Sequence, residues 1–135
     1  MKKIIAIVCF ISLSGGAFAL AGKGVWDVRD FGAKGDGKTL DTHAIQTAID
    51  ECFKSGGGKV YLYNGRFLSG TIYLKSNVSL YIENGATLLG SKQQKDYPIT
   101  SSKYPSYFGQ YVTNRMLIYA EDAVNISIGN ILSEI

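Results

Sequence analysis

Ile72-Tyr73-Leu74-Lys75-Ser76-Asn77-Val78-Ser79-Leu80-Tyr81-Ile82 has a second copy further along the chain. Ile72, Tyr73, Val78, Leu80 and Ile82 find counterparts at Ile118, Tyr119, Val124, Ile126 and Ile128, each 46 residues on. Within each copy apolar residues alternate with polar or tyrosyl ones, the two-residue period of a half-buried strand. Between the copies, residues 91–115 are rich in Tyr, Ser and Lys and carry both prolines, which predicts a loop excursion of 25 residues. Setting that excursion aside leaves a period of 21 residues, within the range of one turn of a solenoid. Short strands joined by two- to four-residue turns also suit the hairpins of a β-sandwich, so the residues alone leave both architectures open.

Upstream of the repeat the alternation continues. Val60 and Leu62 point one way, as do Ile72 and Leu74 and then Val78, Leu80 and Ile82, while Tyr61, Tyr63, Ser79 and Tyr81 face outward. Breaks fall at Asn64-Gly65, Ser76-Asn77 and Asn84-Gly85. Between Asp41 and Phe53 the period changes. Ala44, Ile45, Ala48, Ile49, Cys52 and Phe53 recur at helical spacing, predicting an amphipathic helix with Asp41 as N-cap. Gly56-Gly57-Gly58 stops it, and no Lys-Ser/Thr follows to make the glycines a phosphate loop. Before the helix, Val25–Phe31 reads as a short strand and Gly32–Lys38 as a glycine-rich turn.

The N-terminus has the three parts of an export leader: Lys2-Lys3, the apolar run Ile4–Leu13, and the small-x-small site Ala17-Phe18-Ala19. Ten apolar residues are too few to span a bilayer. Cleavage after Ala19 removes Lys2 and Lys3 and takes the formal net charge from +3 to +1. That balance gives no electrostatic footprint for nucleic acid. Only Cys52 then remains of two cysteines, so the exported chain has no disulfide partner within itself.

Two blocks carry a family resemblance. Asp30-Phe31-Gly32-Ala33-Lys34-Gly35-Asp36-Gly37, Asp41–Asp50 and Gly56–Gly58 are similar to the N-terminal cap of parallel β-helix proteins that act on polysaccharides. The second block runs from Ser69-Gly70-Thr71-Ile72-Tyr73-Leu74 through Gly85-Ala86-Thr87-Leu88-Leu89-Gly90, Asp96-Tyr97-Pro98 and Leu117–Asp122 to Asn125-Ile126-Ser127-Ile128. It resembles glycoside hydrolase family 28, the polygalacturonases and their exo-acting relatives. The resemblance implies an all-β fold, the N-terminal coils of a right-handed parallel β-helix capped by one short helix. The expected organisation is leader 1–19, cap 20–58 and first coils 59–135.

The same resemblance implies an exported N-terminal fragment of an inverting, cofactor-free hydrolase of pectin or polygalacturonate. Family members continue after the position of Gly129 with Gly-x-Gly-Thr/Val-Ile-Asp-Gly and carry their catalytic aspartates, Gly-His-Gly and Arg-x-Lys beyond it. This chain has none of those motifs, so no catalytic, cofactor or metal residue is carried over and the chain is expected to be inactive alone. Two alternatives stay open: a calcium-dependent, pectate-lyase-like eliminating enzyme, and a non-catalytic carbohydrate-binding β-helix module. The expected partner is polysaccharide, with no nucleic acid and no membrane once the leader is removed; the last strand, Val124–Ile128, is expected to invite self-association.

Other residues have narrower readings. An inverting glycosidase needs two carboxyls roughly 6.5–9.5 Å apart, and the available candidates are Asp50-Glu51, Glu121-Asp122, and the spread of Asp27, Asp30 and Asp36. Neighbours on a strand face opposite ways, so Glu121-Asp122 reads as a solvated turn and Asp50-Glu51 as a solvated helix face beside Lys54. Asp36 is read as bonding its own backbone, His43 as exposed with no second imidazole, and Cys52 as a small core residue. Tyr61, Tyr63, Tyr73 and Tyr81 form a candidate outward ladder on which sugars could stack.

Overall fold

A computed structural model describes residues 24–104 and 115–130. Residues 1–23, which include the expected leader, residues 105–114 of the expected excursion and residues 131–135 lie outside that description. Nine strands and one α-helix follow in the order β1 (Gly24–Asp27), β2 (Asp36–Leu40), α1 (Thr42–Lys54), β3 (Gly58–Leu62), β4 (Arg66–Ser69), β5 (Ile72–Tyr73), β6 (Val78–Ile82), β7 (Thr87–Gly90), β8 (Ile118–Tyr119) and β9 (Ser127–Gly129). Every pairing among them is parallel. They form three sheets, β1-β3-β6-β9, β2-β4-β7 and β5-β8, which the chain visits in rotation. Hairpins of a sandwich would need antiparallel pairs, and the described strands make none.

The rotation sets the period. Gly58 lies beside Val78 and Arg66 beside Thr87, steps of 20 and 21 residues. Apolar side chains turned inward from all three sheets make one core, in which Val28, Val60, Leu62, Phe67, Ile72, Val78 and Leu80 are fully buried. Helix α1 lays Ala44, Ile45, Ala48, Ile49 and Cys52 onto it. Phe53, assigned by its spacing to the same face, is instead exposed, and its ring carries the Lys75 ammonium at 5.4 Å.

The helix also closes hydrogen bonds that a strand would otherwise supply. Gln46 accepts from the Tyr73 N–H at 2.8 Å and donates to its carbonyl at 3.1 Å, as a neighbouring strand would. Thr42 Oγ1 accepts from the Gly70 N–H at 2.8 Å. Asp41 stands at the N-cap position but makes no cap bond. Its buried carboxylate accepts from the N–H groups of Lys34 (2.8 Å) and Gly35 (2.9 Å), pinning the glycine-rich loop to the helix start. After the helix, Gly57 holds φ +109° with its Cα against the Asn77 carbonyl, so a side chain there would collide with backbone.

Four expectations need correction. Val25–Phe31 is only half strand, because Val28–Phe31 winds into a 3-10 turn capped by the Asp27 carboxylate. The predicted turn Gly32–Lys38 runs into a strand, β2, held beside β4. Strands β4 and β7 were not anticipated; each is only four residues long, β4 set between Gly65 and Gly70 and β7 ending in Gly90. The repeat register also changes part-way. Ile72 and Tyr73 do lie beside Ile118 and Tyr119, 46 residues on, but Ser79 lies beside Ser127 and Leu80 beside Ile128, 48 on. Five residues separate Tyr119 from Asn125 where three separate Tyr73 from Asn77, and Asp122 at φ +52° takes up the surplus. The longer spacing stacks like on like. Asn125 donates to Asn77 at 3.1 Å, and Ser127 to Ser79 at 2.8 Å.

Candidate functional site

The carboxylates are placed for structure. Asp50 on α1 receives Lys75 at 2.8 Å and Gln46 at 3.0 Å; burial pulls its pKa up, but these donors outweigh it and the net shift is downward. Glu51 pairs with Lys54 one turn on, at 2.6 Å. Glu121 accepts from the Tyr119 hydroxyl (2.8 Å), the Ser102 hydroxyl (2.8 Å) and the Lys103 N–H (2.7 Å). Asp122 accepts from Tyr104 at 2.6 Å and pairs with Lys103 at 3.0 Å. Those hydroxyl donors hold both carboxyls below their ordinary range. A general acid must keep its proton at neutral pH, which takes a raised pKa. This pair is arranged the opposite way and binds Ser102–Tyr104 of the excursion to the turn before β9.

Asp36 closes its own turn. The Thr39 and Lys38 N–H groups and the Thr39 hydroxyl all donate to it, at 2.7–2.8 Å, and lower its pKa to about 2. His43 is exposed on α1. Cys52 is fully buried, and burial pushes its thiol pKa up, away from nucleophilic use. Among the described residues no group of three or more His, Cys, Asp or Glu side chains converges to hold a metal ion. No helix among them is long and apolar enough to cross a membrane.

The aromatic ladder is real but shorter than the spacing suggested. Tyr61 and Tyr81 are register partners on β3 and β6, stacked with centroids 5.1 Å apart and 17° between planes. Tyr63 continues the stack at 5.4 Å. The Arg29 guanidinium lies over Tyr63 and the Lys59 ammonium over Tyr81. The Tyr61 hydroxyl donates to Glu83 at 2.9 Å, which raises its pKa. Tyr73 does not belong to this stack. It sits on the β5-β8 sheet, meeting Tyr119 edge-on at 5.8 Å.

Sequence reading passed over a second surface. Along β2, β4 and β7 the side chains of Lys38, Arg66, Lys92 and Lys95 edge a groove of about 670 Å³ floored by leucines. Its strands were the ones missed above, so nothing brought those cations together on paper.

With this geometry in place, the chain can be set beside known proteins. The family described as rhamnogalacturonase A/epimerase, pectate lyase-like, matches residues 25–130. An exo-poly-alpha-D-galacturonosidase of Dickeya chrysanthemi is 42% identical over 105 residues, 78% of this chain and 17% of that protein. Alginate lyase 7 of Azotobacter vinelandii is 52% identical over 61 residues, 39% of this chain and 7% of that one. The solved family 28 exopolygalacturonase of Yersinia enterocolitica superposes with a TM-score of 0.68 at 40% identity, covering 78% of this chain and 19% of its own. The chain thus spans less than a fifth of the length of each of these relatives.

Proposed function

Since the chain belongs to the pectate lyase-like family of rhamnogalacturonase A and the epimerases, we propose that it forms the opening turns of a polygalacturonase-like hydrolase acting on galacturonate polymers. The observation that carries this reading is the joint match of sequence and backbone to a family 28 exopolygalacturonase. The three parallel sheets visited in rotation are read as a right-handed parallel β-helix, with α1 as its N-terminal cap. Export by the leader 1–19 belongs to the same proposal; the mature protein should begin at Leu20.

In this role the described residues contribute scaffold and substrate contact rather than bond cleavage. Inverting hydrolysis requires an acid, a base and a water held around one glycosidic bond by rigid elements, and Glu121 and Asp122 are committed to ion and hydroxyl pairing. Losing an acid or base removes roughly 10²–10⁴-fold in rate each, so the 135-residue chain should release no reducing ends from polygalacturonate. Joining residues 24–129 to the remaining turns of the Dickeya enzyme tests the reading directly. The chimera should hydrolyse polygalacturonate, and its unsaturated products should stay absent with calcium added. A folded chimera without hydrolysis, or one yielding unsaturated products, contradicts the proposal.

A further inference from the structure

The chain spends two more residues between β8 and β9 than between β5 and β6. Tyr73 and Asn77 enclose Leu74, Lys75 and Ser76, whereas their stacking partners Tyr119 and Asn125 enclose Ala120, Glu121, Asp122, Ala123 and Val124. The longer turn still meets the shorter one at both ends. The Leu74 N–H bonds the Tyr119 carbonyl at 2.8 Å, and the Asn77 N–H bonds the Val124 carbonyl at 3.0 Å. The surplus therefore bulges between two fixed points, and both carboxylates of the turn lie in it. Asp122 sits there at φ +52°, a left-handed conformation that aspartate adopts more readily than most residues do.

Among the described residues, every donor to this pair apart from the Tyr119 hydroxyl belongs to Ser102, Lys103 or Tyr104. The titratable and charged groups facing the pair are Tyr119 from β8, with Tyr73 of β5 edge-on behind it, and Lys103 and Tyr104 from the segment. The two carboxylates also repel one another. The earlier part of the same excursion is held by other means. Arg115 Nη1 donates to the carbonyls of Gln94 (2.9 Å) and Tyr97 (2.7 Å), and the Thr71 N–H donates to the Asp96 carbonyl at 3.1 Å. The one carboxylate there, on Asp96, meets the Ser91 hydroxyl. A guanidinium keeps its proton and a backbone amide does not titrate, so most of that anchorage is indifferent to pH.

We infer that Glu121 and Asp122 form an acid-released tether: ionised, they hold Ser102–Tyr104 against the turn before β9, and protonated, they let it go while Gln94–Tyr97 stays fixed. An ionised acceptor makes hydrogen bonds roughly twice as strong as a neutral one. A protonated carboxyl must in addition place its own O–H, and here it would face a ring of donors. Protonated Asp122 also loses its ion pair with Lys103. Each exposed contact is worth little alone, but four of them fall on three consecutive residues and are lost together. The donors hold both carboxyls below their ordinary range. Their contribution is therefore complete above about pH 4 and disappears as the pH falls through those lowered values.

Nitrogen-15 relaxation of the full chain, read amide by amide, tests the tether. At about pH 7 the order parameters of Ser102, Lys103 and Tyr104 should match the rigid value of about 0.85, and at about pH 3 they should fall below about 0.6. Those of Asp96 and Tyr97, and of Val60 and Leu62 in the core, should stay high throughout. Glu121→Gln combined with Asp122→Asn should release the segment already at about pH 7 and remove its pH dependence. Asp50→Asn, which breaks an ion pair on the helix, should leave the segment held. If acid unfolds the whole chain, seen as loss of order at Val60 and Leu62, the double variant at neutral pH decides alone. A segment as ordered in that variant as in the wild type overturns the inference. So does a segment that stays ordered in folded wild type at about pH 3, or one already disordered at about pH 7.

Discussion

The two ends of the stacked sheets are built from the same alternating strands and differ in what covers them. At the helix end, α1 puts five apolar residues onto the core and Gln46 supplies Tyr73 with both bonds of a missing strand. At the other end, β9 presents Ile128 at 53% exposure and the turn before it presents Val124 at 66%. Leu80 on β6, the register partner of Ile128, is fully buried. One position in the repeat thus has opposite fates one turn apart. Burial in a stack of this kind comes from neighbours, not from the strand's own sequence.

The largest test of that contrast is a matched pair of truncations. Ile49→Ala on the core face of the helix should cost about 2–5 kcal/mol by opening a cavity, while Ile128→Ala should stay within about 0.5 kcal/mol. Chemical denaturation of both variants measures this, and similar costs would break the comparison. Gly57→Ala comes next. Its positive φ and its contact with the Asn77 backbone predict a loss above about 1 kcal/mol, seen as a lower denaturation midpoint.

Gln46→Ala should cost about 1–3 kcal/mol by leaving the Tyr73 N–H and carbonyl without partners. Gln46→Glu sharpens the point, since a carboxylate can still accept from the N–H but cannot donate to the carbonyl. It would also face the Asp50 carboxylate to which the Gln46 amide now donates, so it should cost at least as much as Gln46→Ala. The smallest effect is at Asp36. Its folded pKa of about 2 lies below the ordinary aspartate value, so its ionised form favours the fold. That contribution is complete above about pH 4 and is lost as the pH falls toward 2. Across that window the melting temperature of the wild type should drop more steeply than that of Asp36→Ala.

The residues revealed most where one periodicity ran long enough to be unambiguous. Helix α1 and the inward faces of β3 and β6 were readable because Ala44–Cys52 keeps helical spacing and Val60–Leu62 and Val78–Ile82 each alternate cleanly. Strands β4 and β7 were not, because four residues give no period to detect. With them went the groove, since Lys38, Arg66 and Lys95 become neighbours only when three short strands pair. The register change at β9 was legible and overlooked. Asn77-Val78-Ser79-Leu80 matches Asn125-Ile126-Ser127-Ile128 better at 48 residues than at 46. The Tyr ladder was over-read by one member because Tyr73 shares the alternation of Tyr61 and Tyr81 but belongs to another sheet. Alternation says which way a side chain faces. It does not say which sheet it is in.

Among the described residues, α1 covers one end of the stack and β9 lies uncovered at the other. Native-state amide hydrogen exchange tests this most directly, because it reads local opening strand by strand. Val60 and Leu62 on β3 should exchange only through global unfolding, while Ile128 and Gly129 on β9 exchange through local fraying at much lower free energy. Protection at β9 equal to that at β3 would contradict the account.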